Sequence, residues 1–87
     1  MYYFNYSSNF KKSSRKLPKN IADKFYERLE LLQQDKFNPI LNNHKLSGEY
    51  EGRSSINITG DYRLIFEFLN ENIIKLVDIG THSELYE

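Results

Sequence analysis

A chain of 87 residues and 10.4 kDa, with 12 Lys+Arg against 12 Asp+Glu, two His, no Cys and no Trp, is expected to form one domain over residues 1–87. At that length only about 60–65% of the unfolded surface can be buried, so one core serves every element and no second domain is left to house a cofactor. The lack of cysteine excludes disulfides, thiolate zinc sites and thiol nucleophiles together, which fits a reducing compartment and predicts a cytoplasmic protein.

The zero net charge argues against a uniformly basic nucleic-acid coat, but the total hides a polarity along the chain. Residues 1–20 carry Lys11, Lys12, Arg15, Lys16 and Lys19 with no acid, a local +5. Residues 61–87 carry Arg63 and Lys75 against Asp61, Glu67, Glu71, Asp78, Glu84 and Glu87, a local −4. The opening residues lack the charged lead-in and apolar stretch of a signal peptide, and no apolar run approaches the roughly 18 residues needed to span a bilayer. A soluble protein without a membrane partner is expected.

Taken in chain order, aromatic-rich Tyr2–Tyr6 suits a short strand. Ser7 or Ser8 can cap a helix running to about Lys16. Pro18 suits the opening of the next helix, where Ile21, Phe25, Leu29 and Leu32 repeat at helical spacing over residues 19–35. Asn38-Pro39 ends that pattern, and Ile40 to Gly48 reads as a connecting segment. From Gly52 the signal becomes β: Ser54–Thr59, a Gly60-Asp61 turn, Tyr62–Leu69, an Asn70-Glu71 turn and Asn72–Ile79. Gly80 is expected to turn the chain out of the sheet, with Thr81–Tyr86 a terminal turn or short helix. The order β-α-α-β-β-β predicts an α+β domain, with two N-terminal helices packed on one face of a mainly antiparallel sheet.

A two-residue Asn70-Glu71 loop would place Tyr62 opposite Ile79. The Gly60-Asp61 turn then lies beside Gly80-Thr81-His82, with Asn57 and Thr59 delivered to the same end. An acid, a phenol and an imidazole so gathered are usable acid-base equipment, because an imidazole with a reference pKa near 6.5 exchanges protons at neutral pH. With no Cys and two His the chain has no convincing metal site, and Ser47 and Ser83 sit in no nucleophile elbow. RNA transphosphorylation meets these limits: the substrate supplies its own 2′-hydroxyl, and the protein supplies a base, an acid and a charge stabiliser.

The stretches Asn43-His44-Lys45-Leu46-Ser47-Gly48, Gly52-Arg53-Ser54, Gly60-Asp61-Tyr62-Arg63-Leu64-Ile65-Phe66 and Ile79-Gly80-Thr81-His82-Ser83-Glu84-Leu85-Tyr86 resemble the RelE/ParE toxin superfamily, in its YafQ-like branch. The resemblance implies the toxin of a type II toxin-antitoxin pair, a ribosome-dependent endoribonuclease that cuts mRNA in the ribosomal A site. It implies ribosomal RNA and a cognate antitoxin as partners, and no small-molecule cofactor. The family's active-site positions fall on His44, on Asp61 with Tyr62, and on His82 with Tyr86. A further family histidine is replaced by Asn57, which can hydrogen-bond but cannot exchange protons at neutral pH.

On this reading His82 is the general acid, Asp61 orients it or acts as base, and His44 assists at the 2′-hydroxyl or phosphate. Arg63 and Lys45 are candidate charge stabilisers, with Arg53 close by. Tyr62 and Tyr86 either cover the sheet edge or stack on a splayed base. The alternatives are a ParE-like toxin that poisons DNA gyrase without cutting RNA, and a degenerate toxin kept as an antitoxin-binding partner. RNA contact is expected on one basic face only, with a shallower salt dependence than a uniformly basic relative would show.

Overall fold

The side chains of β4 (Tyr62–Phe68) organise the molecule, because Leu64, Ile65 and Phe66 are all fully buried in succession. Successive residues of a strand point to opposite faces, so this strand must be covered on both sides. In the computed structural model, which describes residues 1–86, it is second-neighbour to both ends of a five-stranded sheet ordered β1-β5-β4-β3-β2. The other strands are β1 (Tyr3–Tyr6), β2 (His44–Lys45), β3 (Ser54–Asn57) and β5 (Ile73–Thr81). β1 runs parallel to β5 and every other pairing is antiparallel.

One face is covered by α1 (Ser8–Ser14) and α2 (Lys19–Gln34), which bury Phe10, Ile21, Phe25 and Leu32 against Ile56, Leu64, Phe66, Ile74, Leu76 and Ile79. The serine cap is Ser7: its Oγ accepts from the Phe10 amide at 3.0 Å and donates to the Val77 carbonyl. The same residue's amide reaches the Leu76 carbonyl at 3.0 Å, so the cap of α1 is also welded to β5. Pro18 precedes the first turn of α2, whose apolar stripe follows the expected spacing. The α+β arrangement of helices on a mainly antiparallel sheet is the one expected.

The opposite face carries a second, smaller apolar cluster. Ile65, Val77 and Leu85 are buried there with Leu46, Tyr50 and Tyr86 packed against them. Leu85 and Tyr86 belong to α3 (His82–Tyr86), and Tyr50 closes a short 3₁₀ turn, Gly48–Tyr50. Gly48 has φ +67°, a left-handed conformation that suits glycine.

Three expectations about the sheet are corrected. The β4–β5 connection is a three-residue loop, 70–72, with the Leu69 amide bonded to the Ile73 carbonyl at 2.9 Å. Asn70 stabilises it, its Oδ1 accepting from the amides of Asn72 at 2.7 Å and Ile73 at 3.0 Å. Second, a bulge at Val77 shifts the register between Ile65 and Phe66, so Tyr62 faces Thr81 and Leu64 faces Ile79. Third, Gly80 does not turn the chain out of the sheet. It pairs with Arg63 within β5, and the strand continues to Thr81. The segment read as a plain connection also contains a 3₁₀ turn, Pro39–Leu41, and β2. Among the described residues no helix is long and apolar enough to cross a membrane.

Candidate functional site

The register decides which polar residues meet. Leu64 faces the two long helices, so Arg63 lies on the α3 face with Ile65. Asn57 sits directly opposite Arg63, and His44 opposite Ser55, which is itself paired with Ile65. His44, Asn57 and Arg63 therefore come from three neighbouring strands and share one face. At its margin His44, Arg63, His82 and Tyr86 line a cleft of about 330 Å³ together with Asn42 and Leu46.

Each of these side chains is held by local structure. Asn42 has φ 48°, the left-handed region that Asn tolerates better than most residues. This conformation turns its carbonyl to within 2.8 Å of His44 Nδ1. A carbonyl oxygen only accepts, so Nδ1 is the protonated nitrogen and Nε2 of the neutral ring keeps a free lone pair. Arg63 donates through one Nη1 to the carbonyls of Thr59 at 3.0 Å, Gly60 at 3.0 Å and Tyr62 at 3.2 Å. That clamps the guanidinium at the β3–β4 turn and leaves its remaining N–H groups for a ligand.

α3 has five residues, too short to persist on its own. Its start is fixed by a capping box: the Thr81 amide donates to Glu84 Oε1 at 2.8 Å and the Glu84 amide to Thr81 Oγ1 at 3.2 Å. The His82 amide donates to the Asp61 carbonyl at 3.0 Å, which ties the helix to the β3–β4 turn. Gly80 makes room for the cap, since a Cβ there would stand 3.1 Å from Glu84 Oε1. One turn on, the Tyr86 ring lies against the His82 ring with centroids 4.7 Å apart.

The Thr81 amide and hydroxyl hold the Glu84 carboxyl below its ordinary range, with a smaller contribution from Lys16. Because the folded value is lowered, the carboxylate's support for α3 is complete above the ordinary glutamate pKa of about 4.3. It is lost as pH falls through the folded value. Amide protection factors across 81–86 are expected to fall over that acidic window, and Glu84→Gln should bring the same loss of protection to neutral pH. Hydrogen exchange read by NMR checks both.

The other candidates lie elsewhere. Asp61 is exposed and reaches α3 through its backbone, and its carboxylate joins no ion pair among the described residues. Tyr62 packs toward the main core and lines a neighbouring cleft with Ser13, Lys16, Gly80 and Glu84. Lys45 follows His44 on an edge strand and is exposed on the other face. Arg53 is engaged by Glu67 at 3.3 Å. Asn57 Oδ1 is buried without a hydrogen-bond partner, as is Ser55 Oγ. Asn42 and Leu46 are lining residues that sequence reasoning did not pick out. An Asn two positions before a histidine was the only available signal.

A mainly antiparallel sheet with one parallel edge strand and two helices on one face is the architecture of the RelE-like toxins. The fold matches YafQ from E. coli strain BL21(DE3), with TM-score 0.84, 20% identity and 100% of both chains covered. It also matches the E. coli DinJ-YafQ toxin-antitoxin complex (TM-score 0.81, 21% identity, 99% of this chain and 98% of that one). A YoeB/ParE toxin from Agrobacterium tumefaciens follows at TM-score 0.76, 13% identity, 94% of this chain and 99% of that one. No curated protein matches the sequence. The family described as "Bacterial toxin of type II toxin-antitoxin system, YafQ" matches residues 2–87. The chain belongs to that family and is a type II toxin.

Proposed function

We propose that this toxin is a ribosome-dependent mRNA endoribonuclease that cleaves by attack of the substrate's own 2′-hydroxyl. The observation that carries the reading is the shared cleft of His44, Arg63, His82 and Tyr86. His44 Nε2, freed by the Nδ1–H bond to Asn42, takes the 2′-hydroxyl proton. The 2′-oxygen then bonds to phosphorus while the bond to the 5′-oxygen breaks. Arg63, already oriented by three carbonyls, offers its remaining N–H groups to the phosphate oxygens as charge builds. His82 gives its proton to the departing 5′-oxygen, and Tyr86 holds the ring and offers a face for stacking. Asn57 supplies a buried amide acceptor beneath Arg63. Asp61, Tyr62, Lys45 and Arg53 act from the rim, through the backbone tie to α3, by packing or through long-range charge.

The basic face fits ribosomal RNA. Lys11, Lys12, Arg15 and Lys16 are exposed and joined to no acid within the described residues, and Lys16 lines the cleft next to α3. Such cations supply sequence-independent affinity for phosphate. A cognate antitoxin is the second partner, as DinJ is for the E. coli YafQ of the complex. Exposed Tyr6 and Tyr26, which line a groove with Arg15, suit an acidic, amphipathic segment. Expression without the antitoxin should arrest growth and leave breaks in translated mRNAs, mapped by primer extension. Arrest with intact mRNA and loss of gyrase supercoiling, or no arrest at all, overturns the reading.

A further inference from the structure

The His82 imidazole is set from one side by the start of α3 and from the other by Tyr86, and Tyr86 has its own support. Tyr50 comes from a different part of the chain, the 3₁₀ turn before β3. Its hydroxyl donates to the Leu85 carbonyl at 3.2 Å. The last carbonyls of a helix have no partner within it, so this phenol acts as a C-terminal cap delivered from outside α3. Its ring also meets Tyr86 edge to face, with centroids 6.0 Å apart and planes at 89°. Tyr86 in turn contacts His82. Leu46 and Tyr50 both pack on the buried Ile65, Val77 and Leu85, so this support rests on the sheet itself. Burial, followed by the charges of Asp78 and Glu49, pushes the Tyr50 phenol above its ordinary value. The hydroxyl therefore stays a donor throughout the physiological range.

We propose that Tyr50 is a positioning residue for the cleavage reaction, fixing the His82 imidazole through the Tyr50–Tyr86–His82 ring chain and the cap on Leu85. The proposal rests on the reading that His82 transfers a proton. A misplacement of about 1 Å in a reacting group can cost about a hundredfold in rate, which sets the scale of the effect. Tyr50 is not among the residues that line the cleft, so its loss should slow the chemical step without weakening ribosome binding.

The test compares full-length toxin with Tyr50→Phe and Tyr50→Leu, measuring mRNA cleavage on programmed ribosomes and the His82 ring resonances of the free protein by NMR. Tyr50→Leu is expected to lower kcat about ten- to a hundredfold with KM within about twofold, and to move the His82 resonances out of their ring-current positions. Tyr50→Phe keeps the ring and loses the cap, and should show a smaller change in both readouts, with most of the activity rescued. A folded Tyr50→Leu with wild-type kcat overturns the proposal. Where Tyr50→Leu does not fold, wild-type kcat and resonances in Tyr50→Phe overturn it. His82→Ala is run alongside. If that variant still cleaves, the acid assignment has failed, while displaced His82 resonances in the Tyr50 variants still uphold the coupling between the rings.

Discussion

His82→Ala is expected to lower the rate of mRNA cleavage by about 10²- to 10⁴-fold, the usual worth of a positioned general acid, and to abolish growth arrest. The side chain is exposed and its amide, which holds α3 to the Asp61 carbonyl at 3.0 Å, survives the substitution. Thermal stability and antitoxin binding should therefore stay at wild-type levels. His44→Ala should also lose activity, and the double variant should lose little more than the worse single one, because the two imidazoles serve one reaction. Cleavage kinetics on programmed ribosomes, with a melting curve for each variant, check this. Full cleavage by a folded His82→Ala would remove the proton donor from the account.

Phe66→Ala should have the largest effect on stability. The ring is fully buried at the centre of β4, packs with the helix-face core and meets Phe68 edge to face at 5.3 Å. Removing it costs both transfer free energy and an unfilled cavity, about 3–5 kcal/mol together, against a total of about 5–15 kcal/mol for an ordinary domain. The melting temperature is expected to drop by more than about 12 °C. Denaturant melts read by tyrosine fluorescence or circular dichroism give the value. A loss below about 1 kcal/mol would mean that the core tolerates the cavity by collapse.

The contrast between these variants reflects how the molecule is divided. Helices α1 and α2 and the face of the sheet beneath them supply stability, and the small cluster of Ile65, Val77 and Leu85 on the other face supplies a platform for the cleft. The helix side was readable in the sequence because Ile21, Phe25, Leu29 and Leu32 recur at helical spacing. The platform was not. Ile65 stands in the continuous apolar run Leu64-Ile65-Phe66, where burial on both faces erases the alternation that would assign a side, and Val77 is the bulged residue of β5.

The candidate site was legible in part for related reasons. His82, Tyr86 and His44 stand out by residue type and motif, and Arg63 by the Gly60-Asp61-Tyr62-Arg63 stretch; all four line one cleft. The register differs from the turn-rule expectation because a bulge leaves no pattern in the sequence, and Val77 adds one residue to β5 that the turn rule cannot count. Lys45 and Arg53 are close to the site in the chain but do not line its cleft. Strand alternation sends the first to the other face, and Glu67 engages the second. Tyr50 carried no signal at all, since its role depends on a contact 35 positions away with Leu85.

The central claim is that the cleft cuts RNA by intramolecular attack, and the ends of the products report on that chemistry. Purified toxin is incubated with ribosomes programmed with a defined mRNA, and the fragments are separated and their termini identified. Transfer of the 2′-oxygen to phosphorus with departure of the 5′-oxygen predicts a 2′,3′-cyclic phosphate or its 3′-phosphate hydrolysis product on the upstream fragment, and a 5′-hydroxyl on the downstream one. Intact mRNA under these conditions, or fragments bearing a 3′-hydroxyl and a 5′-phosphate, would contradict the account.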